Sequence, residues 1–206
     1  MRSDIDALVA AEHAELCDVA RSLSATQWQS PTLCDEWSVR DVAIHVSDHI
    51  HRTGGELTRD ALRGRLSSKR TTALILTRHR GRSTEEIVEW LDAPVRSPSM
   101  LQLAELMIHQ QDIRRPLGIP RDISQDRLIP CLDYTLSRRG HLEVAGARRR
   151  AHGLHLAATD APWSWGSGPN VSGPAEAILM AVHGRRETAK ALYGEGVATL
   201  ISRCTS

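Results

Sequence analysis

The chain has 206 residues, 41% hydrophobic and 25% charged, enough apolar material to bury a core unaided, which excludes a disordered chain. Twenty-six lysines and arginines face 25 aspartates and glutamates, a formal charge of +1. Without a global field to steer a polyanion, no nucleic-acid and no membrane-surface partner is expected. No apolar run approaches the roughly 20 residues that cross a bilayer. The start, Met1-Arg2-Ser3-Asp4-Ile5-Asp6, is acidic where a secretory signal is basic and then apolar. Cys17, Cys34, Cys131 and Cys204 are scattered and form no Cys-x-x-Cys pair, so a cytoplasmic protein with reduced thiols is the expectation.

In chain order, Ile5, Leu8, Val9, Leu16, Val19 and Leu23 fall near one stripe of a 3.6-residue period and predict a helix from Asp4 to about Ala25. Gln27 to Trp37 is turn-rich; Pro31 interrupts regular hydrogen bonding while Trp28, Leu33 and Trp37 supply bulk to pin an ordered loop. Ser38 followed by Asp41 is a capping arrangement, and Val42, His45, Val46, His49 and Ile50 line the face of a second helix that Gly54-Gly55 is expected to end. Glu56 to Arg82 reads as a broken helix, and Ser83 opens a short one through Leu91. After Pro94 and Pro98, Ser99 can cap a helix whose Leu101, Ala104, Glu105, Ile108, His109 and Asp112 share one face before Pro116 and Gly118 stop it. A further helix from Ser124 is expected to break at Pro130. After Gly153 the period drops to 2, predicting strands over 154–158 and 163–166; Asn170-Val171-Ser172 reads as a turn, and Pro174 opens another helix. The expected domains are a helical bundle over 1–150 and a small α+β segment over 151–206.

The chemistry sits in His45 with Glu105-x-x-x-His109. Residues four apart share a helix face and can reach one metal, and a His2Glu set leaves a coordination position open for a substrate atom, where a structural zinc site closes all four. Glu-x-x-x-His also arises by chance, so ordinary polar residues at a bundle boundary are an equal reading of the spacing alone. His45-x-x-x-His49 is a competing pair; His45 lies nearer the middle of the apolar stripe. Asp112 either orients His109 by accepting its second N–H or merely faces the arginines that follow. His13, His79, His141, His152, His155 and His183 lack comparable pairing. Cys34, beside Asp35 and Glu36, lacks the electropositive surroundings of a self-activated nucleophile and reads as structural. No phosphate loop, dinucleotide fingerprint or nucleophile elbow is present.

The run Trp28, then Ser30-Pro31-Thr32-Leu33-Cys34-Asp35-Glu36-Trp37-Ser38-Val39-Arg40-Asp41-Val42-Ala43-Ile44-His45-Val46, resembles the loop and second helix of the mycothiol-dependent maleylpyruvate isomerase family, within the DinB-like superfamily. Ala104 to Gly118 is similar to that family's second metal-ligand segment, and Leu156–Asp160, Trp163, Gly173–Ala177 and Gly184-Arg185 to its C-terminal part.

The resemblance implies a mainly α, DinB-like four-helix bundle with a small C-terminal α+β segment. It implies a divalent metal, zinc in most members, held by His45, Glu105 and His109, with mycothiol or another small thiol completing the sphere. In the isomerase the thiolate adds to an activated cis double bond, allows rotation and leaves. The implied partners here are therefore a small thiol and a small electrophilic substrate, taken through cis–trans isomerisation or thiol transfer; a homodimer stays open. Arg114, Arg115, Arg185 and Arg203 are the candidate forks for a carboxylate substrate. No separate catalytic acid or base is identifiable, so a non-catalytic DinB-like protein that binds or senses a metal or thiol is the alternative, and a bundle without metal is a third reading.

Overall fold

A helical frame carries the candidate ligands, and capping chemistry sets where its helices begin. The computed structural model describes residues 2–34, 36–65, 67–143 and 146–204. Packing divides the chain into two units, residues 1–120 and 121–206.

In the first unit, α1 (Arg2–Ser22) and the single turn α2 (Ala25–Trp28) precede the ordered loop. Four longer helices follow in succession: α3 (Val39–His51), α4 (Gly54–Arg63), α5 (Ser68–His79) and α6 (Thr84–Asp92), before α7 (Met100–Arg114) closes the bundle. Helix α1 packs on α6 and α7, and α3 on α5, α6 and α7, so the first unit is the expected mainly α bundle. Leu103, Leu106 and Met107 of α7 and Val42 and Ile44 of α3 are buried at the centre, where each large side chain contributes about 1.5–3 kcal/mol. Polar groups also fix α1 against α7. Buried Glu12 accepts from Gln110 Nε2 (3.1 Å), and Gln110 Oε1 accepts from Arg114 Nε (2.8 Å).

Ser38 caps α3 as its spacing predicts. Its side chain accepts from the Asp41 backbone N–H, and the Asp41 carboxylate accepts from the Ser38 N–H (2.9 Å) and hydroxyl (2.6 Å). Ser38→Ala is expected to cost about 1 kcal/mol, read as a lowered denaturant midpoint with unchanged slope; an unchanged midpoint contradicts the assignment. Gly54 and Gly55 do not end an element as expected. They form the first turn of α4, because Thr53 caps it with Glu56 as the reciprocal partner, so α3 stops at His51 and the chain re-enters a helix almost at once.

The second unit holds α8 (Gln125–Leu136), α9 (Arg138–Glu143) and α10 (Ala147–Ala151), then three strands, α11 (Ala175–Val182), a 3-10 turn (Arg186–Ala191) and α12 (Val197–Ser202). Helix α8 runs through Pro130 rather than breaking there; the proline forfeits one bond of the ladder, and buried Leu128, Cys131, Leu132 and Leu136 hold the rest. Strand β1 (His155–Ala158) pairs antiparallel with β2 (Ser164–Gly166) and parallel with β3 (Asn170–Gly173), in the order β2-β1-β3. The third strand is the segment expected to be a turn. Val171 and Ser172 are buried in it, and Ser172 exchanges backbone bonds with Tyr193 at 2.8 Å, a long-range pairing that local turn chemistry does not reveal. The packing boundary at 120/121 groups α8–α10 with the strands, whereas the boundary expected from sequence lies at 150/151.

Candidate metal centre

Where α3 meets α7, the facing stripes carry ligand atoms in place of methyl groups. Glu105 and His109 are one turn apart on α7, and His45 reaches them from the middle of α3. Glu105 Oε2 stands 3.4 Å from His45 Nε2 and 3.4 Å from His109 Nε2, and the three ligand atoms lie within 4.8 Å of one another. The two imidazoles meet edge to face, centroids 4.8 Å apart. A charge-assisted hydrogen bond closes to about 2.7–2.9 Å, so at 3.4 Å these two contacts are long, loose hydrogen bonds. Bonds of about 2.1 Å to a tetrahedral cation place neighbouring ligand atoms about 3.4 Å apart, which is the spacing found. The donor set fits a divalent metal.

Electrostatics support the same geometry. Burial, only partly offset by the Glu105 hydrogen bond, pushes the His45 imidazole down to about 4, so it is neutral at pH 7 and in its ligating form. Its Nδ1 is buried without a hydrogen-bond partner among the described residues. Burial also opposes charge on Glu105, but the His49, His109 and His45 imidazoles outweigh it and hold the carboxyl well below its usual range. For His109 burial is again outweighed, by hydrogen bonds to Asp112, Cys34 and Glu105, and the imidazole is lifted well above its usual range. The ion-free centre is thus a carboxylate facing an imidazolium, where a dication can take the proton's place.

Asp112 is wholly buried, and its Oδ2 lies 2.9 Å from His109 Nδ1. That contact leaves the ring with Nε2 toward Glu105, the arrangement in which a carboxylate can orient an imidazole. The loop before α3 completes the surroundings. The Leu33 N–H donates to the Asp112 carbonyl (3.1 Å), and Cys34 Sγ sits 3.5 Å from Asp112 Oδ2. The Trp37 ring lies 5.0 Å from that of His45 and nearly parallel to that of His109 at 6.2 Å. Neither Cys34 nor Trp37 was assigned to the site from sequence. Their signal was the Thr32–Trp37 stretch itself, dense in bulky and thiol side chains for a loop.

His49 is outside the three-ligand group. Its ring lies 6.1 Å from that of His45, and its Nε2 is buried without a hydrogen-bond partner among the described residues. Other histidines make local contacts: His13 Nε2 lies 2.6 Å from the Leu91 carbonyl, His155 Nδ1 3.1 Å from Asn170 Oδ1, and His79 packs on Trp90. The His141 side chain lies outside the described residues. Of the candidate arginine forks, Arg114 is held by Gln110 and the Pro120 carbonyl, and Arg115 is exposed at the end of α7. In the second unit, Arg185 donates to the His183 carbonyl (2.9 Å) and Arg203 to those of Arg150 (2.8 Å) and His152 (2.6 Å).

Residues 9–99 match the model of the mycothiol maleylpyruvate isomerase N-terminal domain. That span contains His45 and the loop but stops short of Glu105, His109 and Asp112, whose placement beside His45 comes from the fold. No curated protein matches the chain in sequence. A crystal structure of a histidine-to-alanine mutant of mycothiol-dependent maleylpyruvate isomerase is similar over 95% of this chain and 93% of that one, with TM-score 0.61 and 13% identity. A second crystal structure of the isomerase has the same coverage, 12% identity and TM-score 0.48. In fold the chain is similar to the first of these structures, a mycothiol-dependent maleylpyruvate isomerase mutant, and in sequence its residues 9–99 are similar to the mycothiol maleylpyruvate isomerase N-terminal domain.

Proposed function

We propose that the chain is a divalent-metal enzyme that applies a low-molecular-weight thiol of the mycothiol type to a small electrophilic substrate, by cis–trans isomerisation or thiol transfer. His45, Glu105 and His109 hold the metal, zinc in this reading, and Asp112 orients His109. The observation that carries the reading is the pair of 3.4 Å separations about Glu105 Oε2, which match the edges of a metal tetrahedron and leave a fourth corner for a small-molecule sulfur. A bound divalent cation supplies the chemistry of deprotonating a coordinated thiol at neutral pH.

The chain's own residues prepare that corner. Neutral His45 and ionised Glu105 present lone pairs without a proton to remove, while the Asp112 contact holds the His109 ring in place. Trp37 covers both imidazoles with an apolar surface that limits water. Among the described residues no helix is long and apolar enough to cross a membrane, and Cys17, Cys34, Cys131 and Cys204 are all free thiols, which suits a reducing, cytoplasmic setting.

Calorimetric titration of the zinc-loaded protein with mycothiol, followed by turnover assays on maleylpyruvate and related unsaturated acids, tests the proposal. The expected result is one saturable thiol site per zinc and thiol-dependent turnover. Zinc-loaded protein that binds no thiol overturns the reading, and saturable binding without turnover on any electrophile favours the non-catalytic thiol-binding alternative.

A further inference from the structure

We propose a second cation position on the Nδ1 side of the His109 ring, formed by Cys34 Sγ, Asp112 Oδ2 and His109 Nδ1 and suited to a thiophilic divalent ion. It shares His109 with the centre above and does not depend on that centre being filled.

The three ligand atoms lie within 4.8 Å of one another. Cys34 Sγ is 3.5 Å from Asp112 Oδ2; with a metal–sulfur bond of about 2.3 Å and a metal–oxygen bond of about 2.0 Å, a tetrahedral edge is about 3.5 Å. His109 Nδ1 is 2.9 Å from the same oxygen, a hydrogen-bond length that opens by about half an ångström when a metal replaces the proton. Two donors, a thiol S–H and an imidazole N–H, therefore converge on one oxygen of a carboxylate with no exposure to water.

Exchange of those two protons for one dication leaves the charge of this buried site unchanged: two protons leave, and Cys34 sulfur and His109 Nδ1 each bond the metal in place of a proton. The frame is already built. His109 and Asp112 share a face of α7, three residues apart, and the Leu33–Asp112 backbone bond (3.1 Å) sets the loop that carries Cys34 against that face. Half-buried Cys34 gives the ion a way in. A sulfur, nitrogen and oxygen set selects zinc, cadmium or cobalt over magnesium or calcium.

Cobalt(II) titration followed by absorption spectroscopy separates the two positions. His45→Ala, which removes a ligand of the first centre alone, is expected to keep the near-ultraviolet thiolate-to-cobalt charge-transfer band. Cys34→Ser is expected to lose that band while retaining the visible cobalt bands of the first centre, with circular dichroism confirming that both variants fold. Absence of a thiolate band in His45→Ala, or its survival in Cys34→Ser, overturns the proposal. If the first centre's assignment is the one at fault, the pattern differs: His45→Ala keeps the thiolate band and Cys34→Ser shows no cobalt bands at all.

Discussion

Alanine in place of His109 is expected to reduce bound zinc from about one ion per chain, or about two where the Cys34–Asp112–His109 position is also filled, to less than about a tenth of that, because either three-ligand group that loses its imidazole is left with two protein donors. The helix survives the change. His109 is interior to α7, alanine is the strongest helix former, and buried Leu106, Met107, Ile108 and Ile113 keep the helix docked on α1 and α3. The loss is also more complete than that of His45→Ala, since His109 is the one side chain common to both ligand groups. Elemental analysis of protein purified without added metal measures it. Equal zinc in wild type and His109→Ala rejects the ligand set.

Acid is expected to release the metal with a slope of one proton. His109 is raised well above its usual range, so at neutral pH the ion-free protein carries a proton there that the cation must displace. As pH falls, that proton competes better and apparent zinc affinity drops about tenfold per unit; as pH rises past the elevated pKa, the dependence flattens. Glu105 is depressed and His45 titrates at about 4, so neither adds a second proton until the solution is far more acidic. Zinc affinity measured against a competing chelator from about pH 5 to 7 should follow a line of unit slope, and Asp112→Asn, which removes the carboxylate that lifts His109, should weaken binding about 10–100-fold and flatten it. A slope of two or more, or none, contradicts the assigned protonation states.

The part of the site built from helical spacing was legible in the sequence. Glu105, His109 and Asp112 sit at 0, 4 and 7 on one helix, and a period of 3.6 puts them on one face whatever surrounds them. That His45 lies opposite them follows from no local rule, since spacing does not say which helix α3 meets; residue type pairs His45 with them, against His49 as a competitor, and the resemblance implies the same set. Cys34 and Trp37 escaped for the same reason: their contacts with Asp112 and the two imidazoles cross some 70 residues of chain or turn on loop conformation. The strand at Asn170–Gly173 has the composition of a turn, and its pairing with β1 and Tyr193 is non-local. At Gly54 the competing signals were local, and the Thr53–Glu56 capping box outweighed the cost of two glycines in a first turn.

The central claim is that one cation is shared by α3 and α7. A crystal of the zinc-loaded protein, measured on both sides of the zinc absorption edge, tests it most directly. The predicted result is an anomalous peak about 2.0–2.2 Å from His45 Nε2, Glu105 Oε2 and His109 Nε2 together; those three side chains in clear density with no peak between them would contradict it.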